Sequence, residues 1–136
     1  MEWHYEDCDA IRLCVAERRF NEETARTGIP DFYREYREKY ELSPRIGVCR
    51  MPDESYDWVY SLGDFYNGSC PDGMTEIEIP AGGYCIFCGK SVNEINSFIY
   101  GEWFITGGYE IIPGDTIEVY DESGCVCEIR VPVKKR

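Results

Sequence analysis

The fold class is decided by the stretch from residue 27 to residue 40, which reads TGIPDFYREYREKY. Its apolar side chains recur every three or four positions, at Ile29, Phe32, Tyr33, Tyr36 and Tyr40. Charged residues fill most of the other positions, so one helix face is apolar and the opposite face is charged. The stretch therefore predicts an amphipathic helix. Pro30 fits its first turn, where a missing N–H costs nothing, and Pro44 ends it.

Strand patterns flank this helix. Residues 10–17 alternate between apolar and polar side chains, which is typical of a strand with one buried face. After the helix, residues 45–49 read as a short strand, and a turn at 52–54 leads to a further strand at 55–63. In that last strand Trp58, Tyr60 and Leu62 share one face.

The second half of the chain repeats this order after a loop at 63–73 that is rich in Gly, Asn, Asp and Pro. Strands are predicted at 75–79, 84–88, 115–120 and 125–133, and the last two form a hairpin that turns at 121–124. Between the strands at 84–88 and 115–120, Ser91 and Glu94 have the spacing of a capping box. A second apolar stripe follows, runs to Trp103 and ends at Gly107.

The predicted fold is α+β and consists of two strand-helix-strand-strand units in one domain over residues 1–136. The first unit spans about 10–63 and the second about 74–133. Two such units can pair their strands about a pseudo-twofold axis. The expected result is one antiparallel sheet with two helices and a groove for a ligand between the repeats.

Composition excludes several functions. Fourteen basic and twenty-six acidic residues give a net charge of −12, which opposes direct contact with nucleic acid or anionic membranes. No stretch is long and apolar enough to span a membrane, and the start of the chain lacks the pattern of a secretory signal. A cytoplasmic protein is therefore expected. The single histidine, His4, lies near a terminus expected to be frayed, which disfavours histidine-based catalysis.

The eight cysteines are not expected to form a disulfide framework, because a cytoplasmic compartment is reducing. The close spacing within the pairs Cys85/Cys88 and Cys125/Cys127 suggests a zinc site with four thiolate ligands. Both pairs, however, fall in strand-like runs, where odd spacing points Cys85 and Cys88 to opposite faces. Small buried apolar side chains are the preferred interpretation, and no metal or other cofactor is expected.

Several ordered motifs resemble the GyrI-like family of small-molecule-binding domains, which also serve as effector-binding domains of AraC-type and MerR-type multidrug regulators. They are IPDFY at 29–33, RIGVC at 45–49, IPAGGY at 79–84, EWF at 102–104, GYE at 108–110, IEVY at 117–120 and EIRVPVKK at 128–135. The resemblance implies a stand-alone member that lacks DNA-binding helices, with a separate regulator protein as a possible partner.

The resemblance also implies a site. A family glutamate at the floor of the pocket corresponds to Glu118, and Trp58 and Tyr60 correspond to an aromatic pair of the family. Trp103, Tyr109 and Tyr120 complete the predicted walls. From the residues alone, alternation in this strand favours a solvent-facing side with Thr116, Glu118 and Tyr120 on it, and only the resemblance favours the pocket.

Three functions remain open. The first is binding of hydrophobic, often cationic aromatic compounds for sensing, sequestration or resistance, since a desolvated carboxylate attracts a cation and ring faces add cation–π attraction. The second is hydrolysis of strained cyclopropane-bearing genotoxins by the same Glu118, as the family resemblance implies. The third is an acidic protein-interaction module without a small ligand.

Overall fold

The computed structural model describes residues 1–50 and 57–136, which form an antiparallel sheet with helices packed on one face. The strands in this part of the chain are β1 (Glu2–Cys8), β2 (Ile11–Phe20), β3 (Ile46–Arg50), β4 (Trp58–Phe65), β5 (Thr75–Ile79), β6 (Gly82–Cys88), β7 (Tyr109–Ile111), β8 (Thr116–Tyr120) and β9 (Val126–Lys135). Helix α1 is Glu22–Tyr40 and helix α2 is Val92–Phe98. The predicted α+β class is confirmed. The predicted turn at 52–54 and the start of the strand predicted for 55–63 lie outside the described residues.

The strand order is β1-β6-β9-β8-β3-β4-β2-β5, with β7 paired to β9, and every pairing is antiparallel. It contains two matching groups, β6-β9-β8 and β2-β4-β3, which meet where β8 pairs with β3. The strand that precedes each group along the chain pairs with the other group. Strand β1, which precedes β2, pairs with β6, and β5, which precedes β6, pairs with β2. The two halves are thereby tied together at both outer edges of the sheet.

Alternation in the strands separates two apolar faces of the sheet. On the face away from the helices, Leu13 and Val15 of β2 pack with Val48 of β3, Ile86 of β6 and Ile117 of β8. On the opposite face each helix covers its own cluster, one under α1 and one under α2. The region between these two helix-covered clusters lies over β3 and β8, where the groups meet.

Helix α1 begins eight residues before Pro30, so its predicted start is wrong. Asn21 is the N-cap, since its side chain accepts from the backbone N–H groups of Glu23 and Thr24, and Thr24 Oγ1 accepts from Asn21 N–H. This reciprocal cap stabilises a start that apolar periodicity does not indicate. Pro30 therefore lies inside the helix, where it removes one backbone hydrogen bond.

The second helix ends near the predicted Gly107 but is not uniform. After α2 a π-helical turn, Ile99–Trp103, leads into a last turn, Phe104–Thr106. Ser91 caps the start by accepting from the backbone N–H of Glu94, as its position predicts. The extra residue in the π turn rotates the helix so that Ile95, Ile99 and Trp103 are all buried against the sheet.

The N-terminal segment is ordered, contrary to the expected frayed terminus. It forms β1, which pairs with β6 along seven residues from Glu2 to Cys8. Trp3 and Tyr5 pack against the cluster under α2, whereas His4 is exposed on the other side of the strand. Because the segment has many charges and its apolar alternation comprises only two side chains, the sequence pattern does not indicate a strand.

A disulfide between Cys14 and Cys70 joins β2 to the loop that follows β4, so the expectation of no disulfide is wrong at this pair. The Cα atoms of the two residues are 5.8 Å apart, within the range that a disulfide bridges. The expectation rested on the compartment and took no account of the chain path that brings the loop back over β2. The other six cysteines carry free thiols.

Two further findings concern residues 1–50 and 57–136. No helix there has the length and apolar character needed to cross a membrane. No group of three or more His, Cys, Asp or Glu side chains there is arranged to hold a metal ion.

Candidate functional site

A cavity of about 660 Å³ opens between α1 and the start of α2, above the junction of β3 and β8. We call it the aromatic cavity. Its lining consists of Ile29, Pro30, Tyr33, Cys49, Trp58, Tyr60, Ser91, Val92, Glu118, Tyr120, Gly124, Cys125 and Val126. The volume lies within the range of sites for drug-sized molecules, and the lining is predominantly apolar.

The floor of the aromatic cavity is a carboxylate bonded to phenols. Tyr60 Oη donates to Glu118 Oε1 at 2.6 Å, and the hydroxyls of Tyr60 and Tyr120 are hydrogen-bonded to each other. When Glu118 is ionised, Tyr60 donates its single hydroxyl proton to the carboxylate. The hydrogen bond between the two hydroxyls must then be donated by Tyr120. The three side chains form a directed chain that ends at the carboxylate.

The strands place these groups through their register. Glu118 on β8 pairs with Gly47 on β3, and β3 also pairs with β4, which carries Tyr60. A Cβ atom on Gly47 would lie 2.5 Å from Tyr60 Oη and 3.2 Å from Tyr120 Cε2. The missing side chain at Gly47 therefore leaves room for Tyr60 to reach the carboxylate and for the ring of Tyr120 beside it.

Burial governs the protonation of the floor. Desolvation raises the pKa of Glu118 above that of an ordinary glutamate, and the hydrogen bond from Tyr60 offsets this only in part. Desolvation also raises the pKa values of Tyr60 and Tyr120, and it raises the pKa of Cys49 to about 11. None of the lining residues named above is basic, so Glu118 has no counter-charge among them.

The walls come from both halves of the chain. Ile29 and Tyr33, one turn apart on α1, face the cavity, and the Tyr33 ring lies 5.3 Å from the Tyr120 ring between centroids. Trp58 of β4 lines the same side and is half-buried. Val92 at the start of α2 and Val126 at the start of β9 belong to the second half.

Four of the six predicted site residues meet here and two do not. Glu118, Trp58, Tyr60 and Tyr120 all line the aromatic cavity. Trp103 and Tyr109 lie instead in the cluster under α2, outside the lining of the aromatic cavity.

The cluster under α2 is closed by its own packing. The rings of Trp103 and Tyr109 stack with centroids 6.5 Å apart, Trp3 meets both of them edge-on, and Trp103 is 1% exposed. Trp103 lies on the helix stripe, whose side chains point at the sheet and away from the groove between the repeats.

Sequence reasoning missed part of the lining. Apolar periodicity places Tyr33 only in the stripe of its helix, and the sequence pattern gives Cys49 and Cys125 no role in a ligand site. The available signal was the width of the stripe on α1. Phe32 and Tyr36 suffice to pack the helix on the sheet, so Tyr33, at its edge, is left for another surface.

A second concavity of about 610 Å³ follows the last turns of α1, lined by Tyr33, Arg34, Arg37, Glu38, Glu41, Leu42 and Ser43. Most of this lining is charged or polar and exposed to solvent. Such a surface offers little apolar area to a hydrophobic ligand, so the aromatic cavity is the better candidate site.

Comparison with protein families gives one match that covers nearly the whole chain. The model described as Cass2, integron-associated effector binding protein, matches residues 8–133. No curated protein sequence matches significantly.

Solved structures share the fold at low sequence identity. SAV2435, in a structure with bound tetraphenylphosphonium, is 16% identical with a TM-score of 0.77, and the match covers 98% of this chain and 94% of that one. A protein from Staphylococcus aureus MU50 is 15% identical with a TM-score of 0.75, covering 98% and 99%. An integron cassette protein from the mobile metagenome of Vibrio cholerae is 10% identical with a TM-score of 0.71, covering 97% and 95%. At these identities the similarity shows the fold alone, whereas the family match over residues 8–133 confirms the resemblance.

Proposed function

Because the chain belongs to the Cass2 family of integron-associated effector-binding proteins, we propose that it binds hydrophobic, cationic aromatic small molecules in the aromatic cavity. Its role would be to sense or sequester a toxic compound, with any transcriptional response supplied by a separate regulator. The observation that carries the proposal is a partly buried carboxylate, Glu118, that is surrounded by aromatic rings and lacks a counter-charge in the cavity lining.

The energetics of the floor support this ligand class. An ionised carboxylate that has lost water is unfavourable, and the raised pKa of Glu118 reports that cost. A ligand cation supplies the missing charge, and the faces of Trp58, Tyr33 and Tyr120 offer cation–π and apolar contact. A neutral ligand would gain only the apolar part of this interaction.

A relative of the same fold adds a precedent. SAV2435 has been solved with tetraphenylphosphonium, a lipophilic cation that carries four aromatic rings. We extend that ligand class to this chain because the aromatic cavity combines the two properties such a cation requires, a carboxylate and apolar aromatic walls.

The test is binding of a panel of fluorescent lipophilic cations to the unmodified protein and to Glu118→Gln, which keeps the side-chain shape and removes the charge. We expect the variant to bind about tenfold more weakly or worse. Glu78→Gln is the matched control, because Glu78 is exposed on the edge strand β5 and its replacement changes net charge equally. Equal affinity for all three proteins would remove Glu118 from the site, and no binding at all would favour an interaction module.

The same two proteins, incubated with strained-ring compounds, decide between binding and hydrolysis. Glu118, with its raised pKa and a phenol donor beside it, has the properties of a general acid or base. Mass spectrometry of strained-ring substrates after incubation should then show unchanged compound if the protein only binds. A product heavier by one water, formed with the unmodified protein but not with Glu118→Gln, would assign hydrolysis.

A further inference from the structure

The two oxygens of Glu118 differ in their hydrogen bonding. Oε1 accepts a hydrogen bond from Tyr60, whereas Oε2 accepts none from residues 1–50 or 57–136. The hydroxyl protons of Tyr60 and Tyr120 are both used within the phenol chain. Neither phenol on the floor therefore has a proton left for the second carboxylate oxygen.

A bound ligand then decides whether this acceptor is satisfied. A quaternary cation would neutralise the charge of Glu118, but it carries no N–H and would leave Oε2 desolvated without a partner. A protonated amine supplies the same charge together with a directed, charge-assisted hydrogen bond. The difference between these ligands lies in one proton that only the amine can donate.

Resting on the function proposed above, we propose that the aromatic cavity prefers aromatic compounds whose cation is a protonated amine over those with a quaternary centre. The N–H group binds the second oxygen of Glu118, and the aromatic body lies against Tyr33 and Trp58. Lipophilic quaternary cations still bind, through charge and ring contact alone, but with lower affinity.

The test uses two ligands with one aromatic body, N,N-dimethyl-1-(naphthalen-2-yl)methanamine, which is protonated at neutral pH, and its N-methyl quaternary salt. Isothermal titration calorimetry at pH 7 should give about tenfold tighter binding of the amine, which corresponds to about 1.4 kcal/mol. In Glu118→Gln this ratio should fall toward one, because the amide nitrogen cannot accept the N–H. Glu78→Gln should keep the ratio of the unmodified protein.

A second variant guards against a folding defect in Glu118→Gln. Tyr60→Phe retains the ring but removes the donor to Oε1. The hydroxyl of Tyr120 that this change frees has one proton and can satisfy at most one carboxylate oxygen, so the preference for the amine should persist. Circular dichroism of both variants checks that they are folded.

The outcomes separate the two proposals. Equal affinities, or tighter binding of the quaternary salt, in the unmodified protein would overturn the N–H preference while leaving the cation site intact. A preference that survives in Glu118→Gln would overturn the assignment to Glu118. Binding of neither ligand would overturn both this inference and the function on which it rests.

Discussion

The molecule contains two aromatic clusters on the same face of one sheet, and they differ in what fills their centres. Under α2, Trp3, Phe87, Trp103 and Tyr109 contact one another edge-on and in stacks, with centroids 4.9 to 6.5 Å apart. In the aromatic cavity the rings instead surround a carboxylate and an open volume of about 660 Å³. Aromatic content alone therefore does not indicate a ligand site, since one cluster is packed by its own rings and the other is not.

The position of each cluster explains the difference. In the cluster under α2 the helix covers strands of its own half, and β1 adds Trp3 and Tyr5 from the N-terminal segment. The aromatic cavity lies where β3 of one half meets β8 of the other, between α1, which lines one side through Ile29 and Tyr33, and the start of α2. The junction between the repeats is thus the part of this face that the duplicated helices do not fill.

The largest expected effect follows from truncating the filled cluster. Replacing Trp103 by Ala deletes a side chain that is 1% exposed and should reduce the free energy of unfolding by about 3–5 kcal/mol. Urea unfolding monitored by circular dichroism measures it. Cation affinity per folded molecule should stay unchanged, and a selective loss of affinity would return Trp103 to the binding site.

The matched substitution in the aromatic cavity should have a small effect on stability and a large effect on cation affinity. Replacing Trp58 by Ala removes a half-buried ring from the cavity wall, so it should cost only about 1 kcal/mol of stability. Affinity for an aromatic cation should fall about tenfold, because both ring contact and cation–π attraction are lost. Calorimetric titration beside the same urea experiment checks both numbers. A large stability loss without loss of affinity would show that Trp58 is a core residue.

These two tryptophans also show how far the sequence could lead. Alternation puts Trp58 with Tyr60 on one face of β4 and Glu118 with Tyr120 on one face of β8, but only the family resemblance implies that these faces line a pocket. The cavity contains all four. Trp103 could not be assigned this way, because a helix stripe shows that a side chain is apolar but not which cluster it enters.

Two parts of the fold, the start of α1 and the strand β1, could not be predicted from the local sequence pattern. Asn21 with Thr24 forms the cap of α1 without the Glu or Gln at the third helical position that usually marks such a cap, so the sequence pattern predicts a later start, with Pro30 in the first turn. The strand β1 has only Trp3 and Tyr5 as large inward side chains between charged residues, and its pairing with β6 depends on the swapped topology. Neither feature can be read from local periodicity.

A smaller effect concerns the charge at the floor of the cavity. The folded-state pKa of Glu118 is raised by burial, so the folded protein binds more protons than the unfolded chain between the ordinary glutamate pKa and the raised one. Stability therefore falls as pH rises through this window, and ionised Glu118 is a cost at neutral pH.

Glu118→Gln should accordingly raise the free energy of unfolding by about 1 kcal/mol at pH 7, while its amide oxygen still accepts from Tyr60. The gain should vanish below about pH 4, where the carboxyl is protonated in both states. Urea unfolding across this pH range measures it. A variant that is less stable than the unmodified protein at pH 7 would contradict the account of a destabilising, desolvated carboxylate.

The smallest expected effect is kinetic. A net charge of −12 attracts monocations toward the cavity, so their association rate constant should fall severalfold, by roughly a factor of three, between 10 and 200 mM salt. Stopped-flow fluorescence measures the rate, with a neutral ligand of the same shape as control. An equal salt response for the neutral ligand would show that the effect does not arise from steering.

The most direct test of the central claim uses the three tryptophans of the chain, because Trp58 lines the aromatic cavity while Trp3 and Trp103 belong to the filled cluster. Their indole N–H signals can be followed by NMR during titration with the naphthyl amine, after assignment by single Trp→Phe variants. Binding in the cavity predicts a large shift of the Trp58 signal, with the other two nearly unchanged. Shifts of Trp3 or Trp103 with a constant Trp58 signal would place the ligand elsewhere and contradict the account.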